Sequence, residues 1–204
     1  MIKIKNITIL CLLLLVNLPT SILATPSSDD PAISKFKAPV FTINMDLDVH
    51  QRYTQLNTFF KDKFVTASNK IEKDMIERLG SSMGFFLLKT VMAYFQYAKI
   101  TSTMFDEVVE VSKATGVPGS IITLFNYYYE LDSVACTSIL ARDTQKRVIM
   151  GSNLDYFFPE EIAVLVYQAN YFSKTKLVYT AQTIYGAVGV LRGIKPNKFT
   201  IALN

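Results

Sequence analysis

Cys136 is the residue of this 204-residue chain whose type and setting most readily permit covalent chemistry. The chain contains two cysteines, and the other, Cys11, lies in an apolar N-terminal run that is typical of a signal peptide. A cysteine without an intrachain partner in an oxidising compartment is buried and inert, paired with another chain, or reactive. Composition alone favours the buried, inert thiol, and only the residues around Cys136 can indicate which of the three alternatives applies.

His50 is the only histidine, and this restricts the catalytic chemistry available. Serine and cysteine triads commonly use an imidazole as their base, and zinc clusters combine histidine with cysteine. The segment Asp48-Val49-His50-Gln51-Arg52 is typical of a polar helix start, so we interpret His50 as a solvated residue there. Catalysis would therefore need a different base, and the sequence predicts neither a metal site nor a cofactor.

Residues 1–24 have the features of a secretory signal peptide. Lys3 and Lys5 precede the apolar run Ile9–Val16, and Ala24 supplies a small residue at the expected cleavage point. The run is far shorter than the ~20 residues of a membrane-spanning helix, which disfavours an anchor. We therefore expect the rest of the chain to enter the secretory pathway and to be lysosomal or secreted.

The charge of the chain argues against a nucleic-acid partner. The formal net charge is +4, and removal of Lys3 and Lys5 leaves 19 basic against 17 acidic residues. No run of Lys and Arg forms a basic stripe with interleaved aromatic residues. Half of the residues are apolar, which is enough for one folded unit with its own core.

The residue pattern changes at Cys136 from helical to strand-like. Before it, Val40–Leu47 alternates as a strand does, and the segment from Val49 to Leu79 repeats apolar residues at helical spacing. The helix predicted over Met83–Ile100 is apolar around most of its circumference, so it is either a core helix or one that contacts lipid. The remaining predicted elements are a helix over Thr103–Thr115, a hairpin of Cys136–Ala141 with Val148–Met150, and strands over Ile162–Tyr171, Lys176–Thr183 and Phe199–Asn204.

An ordered set of residues resembles the acid ceramidase family, which includes N-acylethanolamine acid amidase and consists of N-terminal-nucleophile hydrolases. The central part of the resemblance is Glu130, Cys136-Thr137-Ser138-Ile139, Gly151 and Asn153-Leu154-Asp155-Tyr156. It extends to Phe41-Thr42-Ile43-Asn44-Met45-Asp46-Leu47, Phe125-Asn126, Tyr185-Gly186-Ala187-Val188-Gly189 and Lys195-Pro196-Asn197-Lys198-Phe199-Thr200. The resemblance thus covers the chain from about Val40 to Asn204.

The resemblance implies an α+β fold, namely the αββα sandwich of these hydrolases in incomplete form, preceded by a helical α-subunit. Residues 25–135 would form the α-subunit and 136–204 the start of the catalytic β-subunit. Autocatalytic cleavage of the Ala135–Cys136 bond would convert this zymogen into an α/β heterodimer. Cys136 would then be the nucleophile and its new α-amine the base, since such amines have a reference pKa of about 8. Asp155 would orient that amine, and Tyr156 would contact substrate as in the amidase branch or serve as a core aromatic.

The implied activity is hydrolysis of a lipid amide, either ceramide or an N-acylethanolamine, to a fatty acid and an amine, at an acidic membrane surface. Two departures from the family pattern support a different expectation. Ser152 stands where the family has an arginine, and the family's Glu-Arg pair and oxyanion-hole asparagine would follow Asn204. The alternative is therefore a catalytically inactive, truncated paralogue that binds lipid or a membrane surface.

Overall fold

The structure is a computed structural model that describes residues 37–97, 102–131, 135–155 and 160–203. The predicted signal peptide, residues 1–24, lies outside the described residues. Helices occupy most of the described chain up to 131, and strands most of it from 135 onward. This confirms the change of pattern predicted at Cys136 and the coarse α+β class.

Six helices are described, most of them in the first part of the chain. They are α1 (Val49–Arg52), α2 (Thr54–Leu79), α3 (Ser82–Tyr97), α4 (Ser102–Thr115), α5 (Gly119–Leu131) and α6 (Glu160–Ala163). Helix α2 ends at Gly80, whose left-handed φ of 66° closes the helix as glycine commonly does.

The described strands form two separate sheets. They are β1 (Val40–Asn44), β2 (Ala135–Arg142), β3 (Val148–Asp155), β4 (Val166–Ser173), β5 (Lys176–Ile184), β6 (Arg192–Lys195) and β7 (Phe199–Ala202). The five-stranded sheet has the order β1-β4-β5-β6-β7, while β2 and β3 pair only with each other. Strand β1 is parallel to β4, and the remaining neighbours are antiparallel.

The structure corrects two predicted boundaries. The helix predicted from Val49 to Leu79 is interrupted at Tyr53, whose φ of −104° and ψ of 7° end α1. The strand predicted from Ile162 begins only at Val166, because the preceding residues form α6. Two glutamates at the N-terminus of α6 favour a helix there, and a short apolar run fits either structure.

The core forms where α2 packs against the five-stranded sheet. Phe60 and Phe64 of α2 are fully buried, and their rings lie 5.1 Å and 5.4 Å from that of Tyr185, which follows β5. Phe60 also contacts Phe41 of β1 at 5.8 Å and Tyr167 of β4 at 5.6 Å. Aromatic pairs of this geometry each contribute about 0.5–1.5 kcal/mol beyond burial. The apolar stripe predicted along α2 is therefore the face that holds the sheet.

Gly186 allows this close approach, and its replacement gives a test of the packing. Its φ is 91°, and a Cβ atom there would overlap the ring of Phe64. We expect Gly186→Ala to lower the free energy of unfolding by about 3 kcal/mol, from backbone strain of ~1–2 kcal/mol and overpacking of ~1–3 kcal/mol. Gly116→Ala is the matched control, since Gly116 has a φ of 77° but open space around its Cα. Equal losses in urea unfolding of the two variants would contradict the packing argument.

Candidate functional site

The hairpin of β2 and β3 brings the candidate cleavage site and the candidate acid together. Ala135 pairs with Asp155, and Cys136 pairs with Leu154. Directly opposed residues of antiparallel strands have Cα atoms about 4.5–5.5 Å apart. The Ala135–Cys136 bond and Asp155 therefore share one end of the hairpin. The structure describes the backbone of these residues but not their side chains, and Tyr156 lies outside the described residues.

A polar turn sets the register of this hairpin. The Asp143 carboxylate accepts hydrogen bonds from the backbone N–H of Arg147 at 2.8 Å and from its Nε at 2.7 Å. The side-chain bond, and then the backbone bond, hold the pKa of Asp143 below its usual value. Lys146 occupies a left-handed φ of 64°, as tight hairpin turns require. Register matters because a slip of one residue would remove Asp155 from its position opposite Ala135.

The hairpin has apolar residues on both faces, and both faces are exposed. Ile139 and Ile149 are 64% and 53% exposed on one face, and Leu140 and Val148 are 72% and 66% exposed on the other. In the described chain the hairpin joins no strand of the larger sheet. Ser152, where the family pattern has arginine, is partly buried and pairs with Ser138. A strand pair with this composition is of the kind found between two layers.

Asn126 links the helix that leads into the candidate bond to the larger sheet. Its Nδ2 donates to the carbonyl oxygens of Gly186 and Ile122, both at 2.8 Å, and its Oδ1 accepts from the N–H of Val188 at 2.7 Å. Helix α5 ends at Leu131, four residues before Ala135. The sequence placed Asn126 in the resemblance but assigned it no role. The sequence does contain one signal for such a role, because Asn126 is a polar residue within the apolar run of α5.

Two further polar contacts connect the residues before 135 with those after it. The hydroxyl of Tyr185 donates to Asn57 Oδ1 at 2.8 Å. Asp46 accepts from the Lys174 N–H at 2.6 Å and from Ser173 Oγ at 2.7 Å. The backbone bond from Lys174, followed by the bond from Ser173, lowers the pKa of Asp46. This contact is therefore strongest above the usual carboxyl pKa and weakens as the pH falls through the lowered value.

Helix α3 has one buried and one exposed apolar face. Phe85 and Met92 are buried, whereas Met83, Phe86, Leu87 and Tyr94 are exposed. The sequence left open whether this helix belongs to the core or contacts lipid, and each face suits one of these environments. None of the described helices is long and apolar enough to cross a membrane. Within the described residues, no three His, Cys, Asp or Glu side chains cluster as a metal site would require.

Comparison with known proteins supports the family suggested by the sequence. No protein-family model matches the chain. It is 28% identical over 197 residues to the N-acylethanolamine-hydrolyzing acid amidase of Rattus norvegicus, with 91% of this chain and 51% of that protein covered. It is 26% identical over 198 residues to the acid ceramidase of Homo sapiens (81% and 45% covered) and 25% over 193 residues to that of Bos taurus (87% and 48% covered).

These similarities place the chain among amidase- and ceramidase-type proteins of mixed α+β structure. More specifically, its relatives are acid ceramidases and N-acylethanolamine-hydrolyzing acid amidases, the family that the resemblance predicted. The chain spans about half the length of the curated relatives it matches.

The contacts of Asn126 give a prediction about this junction. Asn126→Ala leaves the Val188 N–H and the Gly186 carbonyl without their partner, and each unsatisfied buried group costs about 1–3 kcal/mol. We expect a loss of about 2–4 kcal/mol in urea unfolding and faster hydrogen exchange at the Val188 amide. Asn57→Ala is the control, because it leaves one buried group, the Tyr185 hydroxyl, without its partner; it should cost about 1–3 kcal/mol and leave exchange at the Val188 amide unchanged. Unchanged exchange at Val188 would contradict the assigned role.

Proposed function

We propose that this chain carries the cleavage site and nucleophile of an acid amidase that hydrolyses a lipid amide. The substrate would be ceramide or an N-acylethanolamine, released as a fatty acid and an amine in the lysosome or outside the cell. The observation that carries the proposal is the hairpin register, which sets Ala135 opposite Asp155 and Cys136 next to it. The similarity to amidases and ceramidases over most of the chain supports it.

The first step is self-cleavage. The Cys136 thiol attacks the carbonyl carbon of Ala135, the C–N bond breaks, and the Ala135 acyl group becomes a thioester of Cys136. Water then hydrolyses the thioester, which leaves a carboxylate on Ala135 and a free α-amine on Cys136. The zymogen thereby becomes one segment that ends at Ala135 and a second that begins at Cys136, with nucleophile and amine on the same residue.

The second reaction uses the same atoms on a lipid amide. The α-amine accepts the thiol proton, the thiolate attacks the amide carbonyl, and the amine of the substrate leaves with a proton. Water releases the fatty acid from the acyl-enzyme. Asp155 stabilises the protonated form of the amine and orients it, because a nearby carboxylate favours a positive charge. Placement of amine and thiol on one residue removes the entropic cost of bringing base and nucleophile together.

The two segments would remain associated as an α/β heterodimer after cleavage. Strand β1 comes from the first segment and pairs with β4 of the second. Three further contacts join the two segments. They are the hydrogen bonds of Asp46, the hydrogen bonds of Asn126, and the packing of Phe60 on Tyr185. All of these contacts are non-covalent.

Cleavage gives a direct test. We expect incubation of the purified protein at acid pH to yield two chains, one of them beginning at Cys136, as read by intact mass and N-terminal sequencing. Cys136→Ala should abolish both the cut and hydrolysis of either lipid, whereas Leu177→Ala, at an exposed position on β5, should cleave normally. Asp155→Asn should slow the cut while the fold persists. Hydrolysis by an intact single chain would contradict the mechanism.

An acidic membrane surface is the proposed partner of α3, since these substrates reside in bilayers. The exposed residues Met83, Phe86 and Leu87 would enter the lipid interface, while Phe85 stays in the core. Phe86→Ser with Leu87→Ser should weaken binding to anionic liposomes at acid pH by roughly fivefold or more in flotation assays. Leu177→Ser, at an exposed position on β5, is the control and should bind as wild type. Equal binding by all three proteins would exclude this surface.

A second candidate is a catalytically inactive, lipid-binding relative. Ser152 favours it, because serine cannot supply the permanent charge and paired donors of an arginine. Liposome binding without hydrolysis of ceramide or N-acylethanolamine would support this candidate over the amidase.

A further inference from the structure

The strands of the β2–β3 hairpin do not select one register by their own side chains. In the observed register Leu140 lies opposite Met150. A slip by one residue would place Leu140 opposite Ile149, so an apolar side chain would again face an apolar one. A buried face normally penalises such a slip, because it would turn apolar side chains toward water. This hairpin exposes apolar side chains on both faces, so the slip carries no such penalty in the described chain.

The backbone and carboxylate of Asp143 close the turn that joins the two strands. Its carbonyl oxygen accepts the Lys146 N–H at 3.0 Å, and its own N–H donates to the Arg147 carbonyl oxygen at 2.9 Å. Its carboxylate accepts the Arg147 N–H at 2.8 Å, so both backbone polar groups of Arg147 are bonded to one residue. The result is a three-residue loop, 144–146, that ends on the left-handed Lys146. A loop of this length and conformation is common in hairpins and permits a single register.

We propose, on the basis of the proposed function, that Asp143 is a positioning residue for cleavage of the Ala135–Cys136 bond and acts through the strand register that its carboxylate selects. Asp143 and that bond lie at opposite ends of the hairpin, about 25 Å apart along a strand that rises about 3.3 Å per residue. This separation excludes a direct contact. A slip by one residue would place Ala135 opposite Leu154 instead of Asp155, so the register controls which residue faces the bond.

The bond from the Arg147 backbone, rather than the ion pair, ties the two strands together. The ion pair of Arg147 Nε with the Asp143 carboxylate measures 2.7 Å, but the Arg147 side chain is 71% exposed and that of Asp143 is 17% exposed. Water and salt screen an exposed ion pair, so it adds little to stability. The side-chain bond, and then the backbone bond, lower the pKa of Asp143. The carboxylate therefore keeps its charge in mildly acidic solution and loses it only as the pH falls through the lowered pKa.

Rates of self-cleavage at acid pH test this role. We expect Asp143→Ala to cut about tenfold more slowly than the wild type, because the loss of a hydrogen bond to a charged group lets slipped registers compete. Asp143→Asn keeps an acceptor oxygen for the Arg147 N–H and should lose no more than about threefold. Arg147→Gln removes the ion pair but not the backbone bond, and it should cut within about twofold of the wild type.

A glycine in the turn should rescue the slow variant. Lys146 has a φ of 64°, a conformation that glycine adopts more readily than lysine. Lys146→Gly added to Asp143→Ala should recover about threefold of the lost rate, since it favours the same loop without restoring any contact of the carboxylate. Lys174→Gly is the matched control, because Lys174 has a φ of 47° in the turn between β4 and β5 and should not change the rate of Asp143→Ala.

Disulfide trapping measures the register without any cleavage. The background is a chain with Cys11→Ser and Cys136→Ala, which has no native thiol. One variant adds Leu140→Cys and Met150→Cys, which are opposed in the observed register, and the other adds Leu140→Cys and Ile149→Cys, which are opposed only after a slip. Directly opposed positions lie within reach of a disulfide, whereas positions on opposite faces of the hairpin do not.

With Asp143 in place, the observed-register pair should oxidise about tenfold more extensively than the slipped pair in a glutathione buffer, and Asp143→Ala should reduce this ratio to about threefold or less. An unchanged ratio would overturn the proposal, as would cleavage of Asp143→Ala at the wild-type rate. A wild-type chain that does not cut at all would contradict the proposed function, and with it the role of Asp143 in cleavage. The trapping ratio distinguishes these failures, because it does not depend on Cys136.

Discussion

The packing of α2 on the five-stranded sheet is the contact on which the other features of this protein depend. The rings of Phe60, Phe64 and Tyr185 meet there, and Gly186 lets the backbone approach because it has no Cβ. One side of this contact precedes the candidate cleavage site and the other follows it. The apolar core is therefore shared by two segments that the proposed chemistry would separate. A cut at Ala135–Cys136 removes one covalent bond but leaves this buried area intact.

The candidate site depends on a different constraint, which is strand register. Nineteen residues separate Ala135 from Asp155 in the sequence, and the antiparallel pairing places them opposite each other. The turn at Asp143–Arg147 fixes that pairing through a few short hydrogen bonds. The apolar faces of the hairpin are exposed, so the turn and the ladder bonds rather than a surrounding core define its geometry in the described chain.

Two carboxylates of the segment before Ala135 respond to acid in different ways. The Asp46 carboxylate accepts the Lys174 N–H in the turn between β4 and β5, and this hydrogen bond weakens only when Asp46 is protonated. Glu107 responds in the opposite direction, because burial raises its pKa and protonation removes a buried charge.

The sequence by itself determined the change from helices to strands at Cys136, the buried stripe of α2 and the family. Each of these follows from local periodicity or from an ordered set of residue types, both of which a single chain displays directly. Only the tertiary structure decided which distant residues meet. The pairing of His50 with Glu110, the three bonds of Asn126 and the exposed face of α3 depend on how helices pack, and periodicity does not encode a partner 60 residues away. The boundary between α6 and β4 also required the structure, because a short apolar run buries equally well as helix or strand until its neighbours are in place.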